Sequence, residues 1–275
     1  MSNQLTLHIQ QNTTVPRIRE ILDFIKSERQ DLEELHNFCG LKPSVLQKVV
    51  FPFLRSIGIQ GKGLTLTDLG EVAYHLSQLH TEYLGDFLHL QIIKLFDDNQ
   101  NKRFSWVYRS ICEQLWIRKE VELSVSEKRR LVIEITNLAS DYFGLPEQDI
   151  SISANSITGV TNYLDFLMPD VIKDVGSKKK FCCRYFCAAP IVVKTVDWMY
   201  QLKGLTYGVK LNLRDDIKNH LCQTLLLHPD GLSNVLSSTK NTYDYDTGGI
   251  FDHGYEGGYG QWIMLTESPE WMSLL

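Results

Sequence analysis

Between Gly40 and Gly63 the chain carries Lys42, Lys48, Arg55 and Lys62 and no acid. Ser44 and Gln47 lie among the first of these cations. The chemistry on offer is contact with a polyanion. An ammonium meets phosphate oxygens or the O6/N7 edge of guanine, and a glutamine amide pairs with adenine. The neighbouring acids stand outside the stretch, on Asp31, Glu33 and Glu34 before it and on Asp68 and Glu71 after it. The chain as a whole is acidic, with 28 basic and 33 acidic residues and a net charge of -5. That balance argues against a protein coating nucleic acid along its length and leaves a local footprint open. The plain alternative is that these cations form an ordinary solvated face.

The elements that must position these side chains can be read around them. "TTVPRIREILDFIKSE" predicts a helix capped by Thr14, with Pro16 tolerated in its first turn. Ile18, Ile21, Leu22 and Ile25 fall on one helical face. "DLEELHNFCG" predicts a second, short helix: Asp31 and Glu34 have capping-box spacing, and Gly40 suits a left-handed stop. "LKPSVLQKVVF" opens a third, in which Pro52 predicts a kink or restart near Phe51. "IQGKGLTLTDLGEVAYHL" then predicts a strand, a turn with Lys62 at its tip, a second strand and a capped helix. Three helices and a two-stranded hairpin over residues 13–80 make the pattern of a winged helix. The first residues of its recognition helix, Lys42, Ser44, Gln47 and Lys48, are the ones that face a DNA groove in such an arrangement. The stretch resembles many bacterial winged-helix domains, whose counterpart of "LTLTDLGE" marks the return strand and next helix. The resemblance implies DNA binding, or the protein docking that other winged helices perform.

Residues 81–189 predict amphipathic helices in "YLGDFLHLQIIKLFDD" and "FSWVYRSICEQLW", a polar loop "DDNQNKR" between them, and a long helix ended by Gly144. In "SISANSITGVTNYLDFL" Ser153 caps a helix whose apolar stripe is Ile157, Val160, Leu164 and Leu167. Its early exposed positions are read as Asn155, Ser156, Thr158 and Thr161. "VIKDVGSKKKFCCRYF" follows as a hairpin with Lys178, Lys179 and Lys180 at the tip and Arg184 nearby, the densest positive cluster in the chain. Helix and basic hairpin together predict a second winged-helix-like unit suited to phosphate positioning. Residues 190–275 predict three more helices and a final hairpin around the glycine- and tyrosine-rich stretch 243–260. The fold class is therefore mainly α with short β-hairpins, in tandem winged-helix-like units.

Sites for catalysis or metals do not emerge. There is no HExxH, no GxSxG and no GxxxxGK[ST], and "GYEGGYG" does not join a strand to a helix as a dinucleotide site must. Counted from Asp244, a calcium loop would place Gly248 and Tyr255 where acids belong. Cys182, Cys183, Cys187, His220 and Cys222 lack the paired spacing of structural zinc sites. No metal and no cofactor is expected. Six cysteines, a polar start and no long apolar run predict a cytoplasmic protein with no membrane contact.

The order "LTLTDLGEVA", "SANSITGVTNYLDFL", "DGLSNVL", "YDYDTGGI" and "QWIML" resembles the bacterial and archaeal domain-of-unknown-function family 4007. Members of that family are often encoded beside DNA-modification and phage-defence genes. The resemblance implies a non-catalytic protein binding double-stranded DNA. Its role would be transcription regulation or DNA recognition as an accessory subunit in modification or antiviral defence. Protein partners in such a complex are expected, and an oligomer is possible. The alternative is a scaffold subunit whose winged helices dock proteins.

Overall fold

The computed structural model describes residues 4–7, 13–27, 29, 31–98 and 103–275. Residues 99–102 of the expected polar loop, and 1–3 and 8–12 of the polar start, lie outside the described residues. The chain is mainly helical with small sheets, as the sequence predicts. It separates into two compact units where the sequence suggests three stretches: Met1–Leu115 with Val121–Phe181, and Trp116–Glu120 with Cys182–Leu275.

The first unit runs β1 (Leu5–Thr6), α1 (Val15–Lys26), α2 (Leu32–Cys39), α3 (Pro43–Val45), a π segment (Leu46–Val50), α4 (Phe51–Ser56), α5 (Asp68–Leu79), α6 (Thr81–Asp98) and α7 (Arg103–Arg118) up to Leu115, the last turn of α7 belonging to the second unit. It continues through β2 (Glu120–Glu122) from Val121 on, α8 (Val125–Phe143), β3 (Ile150–Ser151), α9 (Ala154–Leu164), β4 (Ile172–Val175) and β5 (Lys178–Cys182) as far as Phe181. The predicted face of α1 is buried at Ile18, Ile21, Leu22 and Ile25 and packs on α2, α5 and α6. Each such aliphatic side chain contributes roughly 1.5–3 kcal/mol by leaving water. The stripe Ile157, Val160, Leu164 and Leu167 is buried too, with α9 set against α6 and α8. Gly144 closes α8 with φ 64°, as expected of a left-handed stop. Thr14 and Ser153 stand at their N-cap positions, but neither side chain accepts the capping hydrogen bond.

A parallel pairing of Leu5 with Ile150 and Thr6 with Ser151 joins β1 to β3. It brings the start of the chain beside the start of α9. The β4–β5 hairpin pairs Ile172 with Phe181 and Val175 with Lys178. Its turn is therefore Gly176–Ser177 alone, with Gly176 at φ 65°, a conformation glycine adopts without strain. The three lysines placed at the tip by sequence sit on β5 instead.

The second unit holds α10 (Ala189–Lys203), β6 (Leu211–Asn212), α11 (Asp215–Leu225), α12 (Leu232–Tyr243), β7 (Phe251–Glu256) and β8 (Gly260–Leu265). Helix α10 is its axis, buried from Ile191 to Tyr200. That stretch includes an ion pair, Lys194 Nζ to Asp197 Oδ2 at 2.8 Å. Lys194 also donates to the Pro269 carbonyl, and the Tyr207 hydroxyl donates to Asp197 Oδ1. The strands form a sheet of order β6-β8-β7; the expected final hairpin is present, but β7 lies within the glycine- and tyrosine-rich stretch, and only residues 257–259 of it form the turn.

Candidate nucleic-acid interface

The basic stretch is presented by a short helix, a turn and a long helix. The Asp31 carboxylate accepts from the Glu33 N–H at 2.9 Å and starts α2. Gly40, at φ 69°, ends it. Leu41, Leu46 and Val50 are buried and anchor the next helical run from its inner side. Pro43 occupies the first turn, where its missing N–H costs nothing. Pro52 is harder to place, because its ring would clash with the carbonyl four residues back. The chain widens by one residue instead: the Phe51 N–H bonds to the Leu46 carbonyl, five back, through the π segment. The expected kink is thus a π turn, and the helical run reaches Ser56. Lys42, Ser44, Gln47 and Lys48 all lie on its exposed side.

The predicted hairpin after this helix is reduced to one antiparallel bridge, Gln60 with Leu66. Side chains satisfy the turn in place of a longer ladder. Gln60 Nε2 donates to the Gly63 carbonyl at 2.7 Å, and the Thr65 hydroxyl donates to the Lys62 carbonyl at 2.8 Å. The loop is held down at its base. Thr67 Oγ1 accepts from the Gly70 N–H at 3.0 Å and donates to the Gly58 carbonyl. A Cβ on Gly70 would lie 2.2 Å from the Ile59 carbonyl oxygen, so only glycine permits this approach of loop to helix. Lys62 is left exposed at the loop tip.

The loop and the helix share a groove of about 370 Å³ lined by Leu32, Gln47, Phe51, Arg55, Gly63 and Leu64. Arg55 is steadied by Nε donating to the Phe51 carbonyl at 3.2 Å. Sequence reasoning left out Leu32, Phe51 and Leu64. The available signal was the spacing of Gln47, Phe51 and Arg55, successive helical turns on one face.

Charge pairing separates the predicted site residues. Lys42, Lys48 and Lys62 are exposed and form no ion pair among the described residues. Lys178 instead meets Glu122 at 2.8 Å, and Lys179 meets Asp165 at 2.5 Å. Lys180 is half-buried opposite Lys173. Asn155 is exposed. Thr158 is half-buried, accepting from Lys128 Nζ at 3.1 Å and donating to the Ala154 carbonyl. Two predicted contacts need correction. Ser156 is 1% exposed and donates to the Leu7 carbonyl at 3.1 Å, because the β1–β3 pairing covers its face of α9. Thr161, read as exposed, is buried as well. Arg184 is 3% exposed, with Nε donating to the Leu225 carbonyl at 2.7 Å, and it belongs to the second unit. Ser156 and Arg184 serve packing.

All six cysteines are free thiols, and only Cys182 is not buried. Burial pushes the Cys183 thiol up to about 11 and the Cys222 thiol up to about 12. Such groups behave as small apolar side chains. The His220 ring lies against Trp198, centroids 5.4 Å apart. No group of three or more His, Cys, Asp or Glu side chains is arranged to hold a metal among the described residues. Asp244 Oδ1 accepts from the Asp246 N–H within a tight turn. Among the described residues no helix is long and apolar enough to cross a membrane.

No known protein family, no curated protein and no solved structure matches the chain.

Proposed function

We propose that the first unit binds double-stranded DNA, with the helical run beginning at Lys42 in the major groove and Lys62 on the flanking backbone. The observation that carries this reading is the set of three exposed lysines without an acidic partner among the described residues, on a helix and a loop that border one groove. Gln47 would meet a base edge; Lys42, Lys48, Lys62 and Arg55 would meet phosphates. The protein is read as a non-catalytic, cytoplasmic regulator, or as the DNA-recognising subunit of a modification or defence complex. That last part rests on the resemblance of its motifs to a family found beside such genes.

The test is a salt titration of duplex binding. Four engaged cations give a log–log slope of about -3.6, and Lys42→Ala with Lys48→Ala should flatten it by about 1.8 and weaken binding roughly tenfold or more. Thermal stability should be unchanged, since both side chains are exposed and hold no partner among the described residues. Unchanged binding by the double variant would overturn the assignment. The apolar walls Leu32, Phe51 and Leu64 favour a second reading, in which the same groove docks a protein segment. Binding that ignores duplex and tolerates high salt would select it.

A further inference from the structure

We infer that the second unit binds a small zwitterion of the free α-amino acid type, between α10 and α11. The site is a cavity of about 270 Å³ lined by Met199, Leu202, Lys203, Asp216, Ile217 and His220. Met199, Leu202 and Lys203 follow helical spacing on α10, and Asp216, Ile217 and His220 do so on α11, so each helix gives the cavity one face. Pockets for drug-sized ligands run to roughly 300–1,000 Å³, so the volume suits a small metabolite better than a dinucleotide.

Charge names the class. Lys203 and Asp216 line the same cavity, yet they form no ion pair with each other or with any other described residue. Opposite helix-end dipoles explain a cation in the last turn of α10 and an anion in the first turn of α11. They do not explain why both line one cavity without closing on each other. A ligand bearing both charges bridges them, its ammonium on Asp216 and its carboxylate on Lys203. Met199, Leu202 and Ile217 supply an apolar wall for its side chain, and Met199 and Ile217 are themselves buried and fixed. A dianion such as a phosphate ester would face the Asp216 carboxylate. A wholly apolar ligand would leave both charges unused. This inference stands apart from the DNA reading.

The experiment uses the full chain and the common α-amino acids, by thermal shift and calorimetric titration. Each compound that binds is compared with its amide, which lacks the carboxylate, and with its deaminated acid, which lacks the ammonium. At least one amino acid should bind, and both analogues should bind about tenfold more weakly or worse. Asp216→Asn and Lys203→Gln should each lose the same interaction. Leu202→Trp, at an exposed wall position, should block the cavity while leaving the charges in place. Failure of every amino acid to bind would overturn the inference. So would a deaminated acid binding as well as its parent, or binding indifferent to Leu202→Trp.

Discussion

Lys42, Lys48 and Lys62 around the groove and Lys178 and Lys179 of the β4–β5 hairpin are all exposed, but among the described residues only the two hairpin lysines are neutralised by acids of the chain. Lys178 and Lys179 each hold a carboxylate, from β2 and from just beyond α9. Lys42, Lys48 and Lys62 hold none among the described residues. A polyanion would therefore meet more usable charge at the sparser cluster. Density of positive residues along a chain measures neither direction nor availability. Exposed ion pairs of the hairpin kind contribute only about 0–1 kcal/mol, so their acids act chiefly as internal competitors for any phosphate.

Three perturbations would break or sharpen this contrast. Lys194, a lysine paired inside the second unit, marks its far end and gives the largest effect. Lys194→Met leaves Asp197 buried without its cation and unties the Pro269 carbonyl, and should cost about 3–5 kcal/mol in urea unfolding of that unit. A loss below about 1 kcal/mol would mean that the pair is not held as described. Next, Glu122→Gln with Asp165→Asn frees the two hairpin lysines. If they lie along the bound DNA, affinity should rise several-fold and the salt slope should steepen by up to about 1.8. An unchanged slope places the hairpin away from the nucleic acid. The smallest effect belongs to Lys178→Ala with Lys179→Ala, which should alter duplex affinity by less than about twofold. A loss matching that of the Lys42 and Lys48 double variant would erase the distinction between the two surfaces.

Much of the local structure was legible because its causes are local. Gly40 and Gly144 stop their helices in the left-handed conformation, Pro16 and Pro43 sit in the first turns of theirs, and the stripes of α1 and α9 point inward. Pro52 announced a disturbance, although not that a π turn would absorb it. What escaped depends on partners distant in sequence. Ser156 reads as an exposed polar residue until the residue after β1, some 150 positions earlier, supplies the Leu7 carbonyl to which its hydroxyl donates. Arg184 reads as part of a basic hairpin until α11 offers the Leu225 carbonyl. The acids that occupy Lys178 and Lys179 come from separate elements as well, and periodicity carries no information about them. The shortened wing has a different cause. Gln60 and Thr65 look like strand residues, yet their side chains bond turn carbonyls and end the ladder after one pair.

Five buried thiols and one half-buried one have a practical consequence. Cys182 stands at the end of β5, on the strand that carries the paired lysines. A maleimide dye added to the native protein should react there ahead of the five buried thiols. Its emission would track the surroundings of the hairpin as duplex is titrated in, while the groove residues remain untouched by the label.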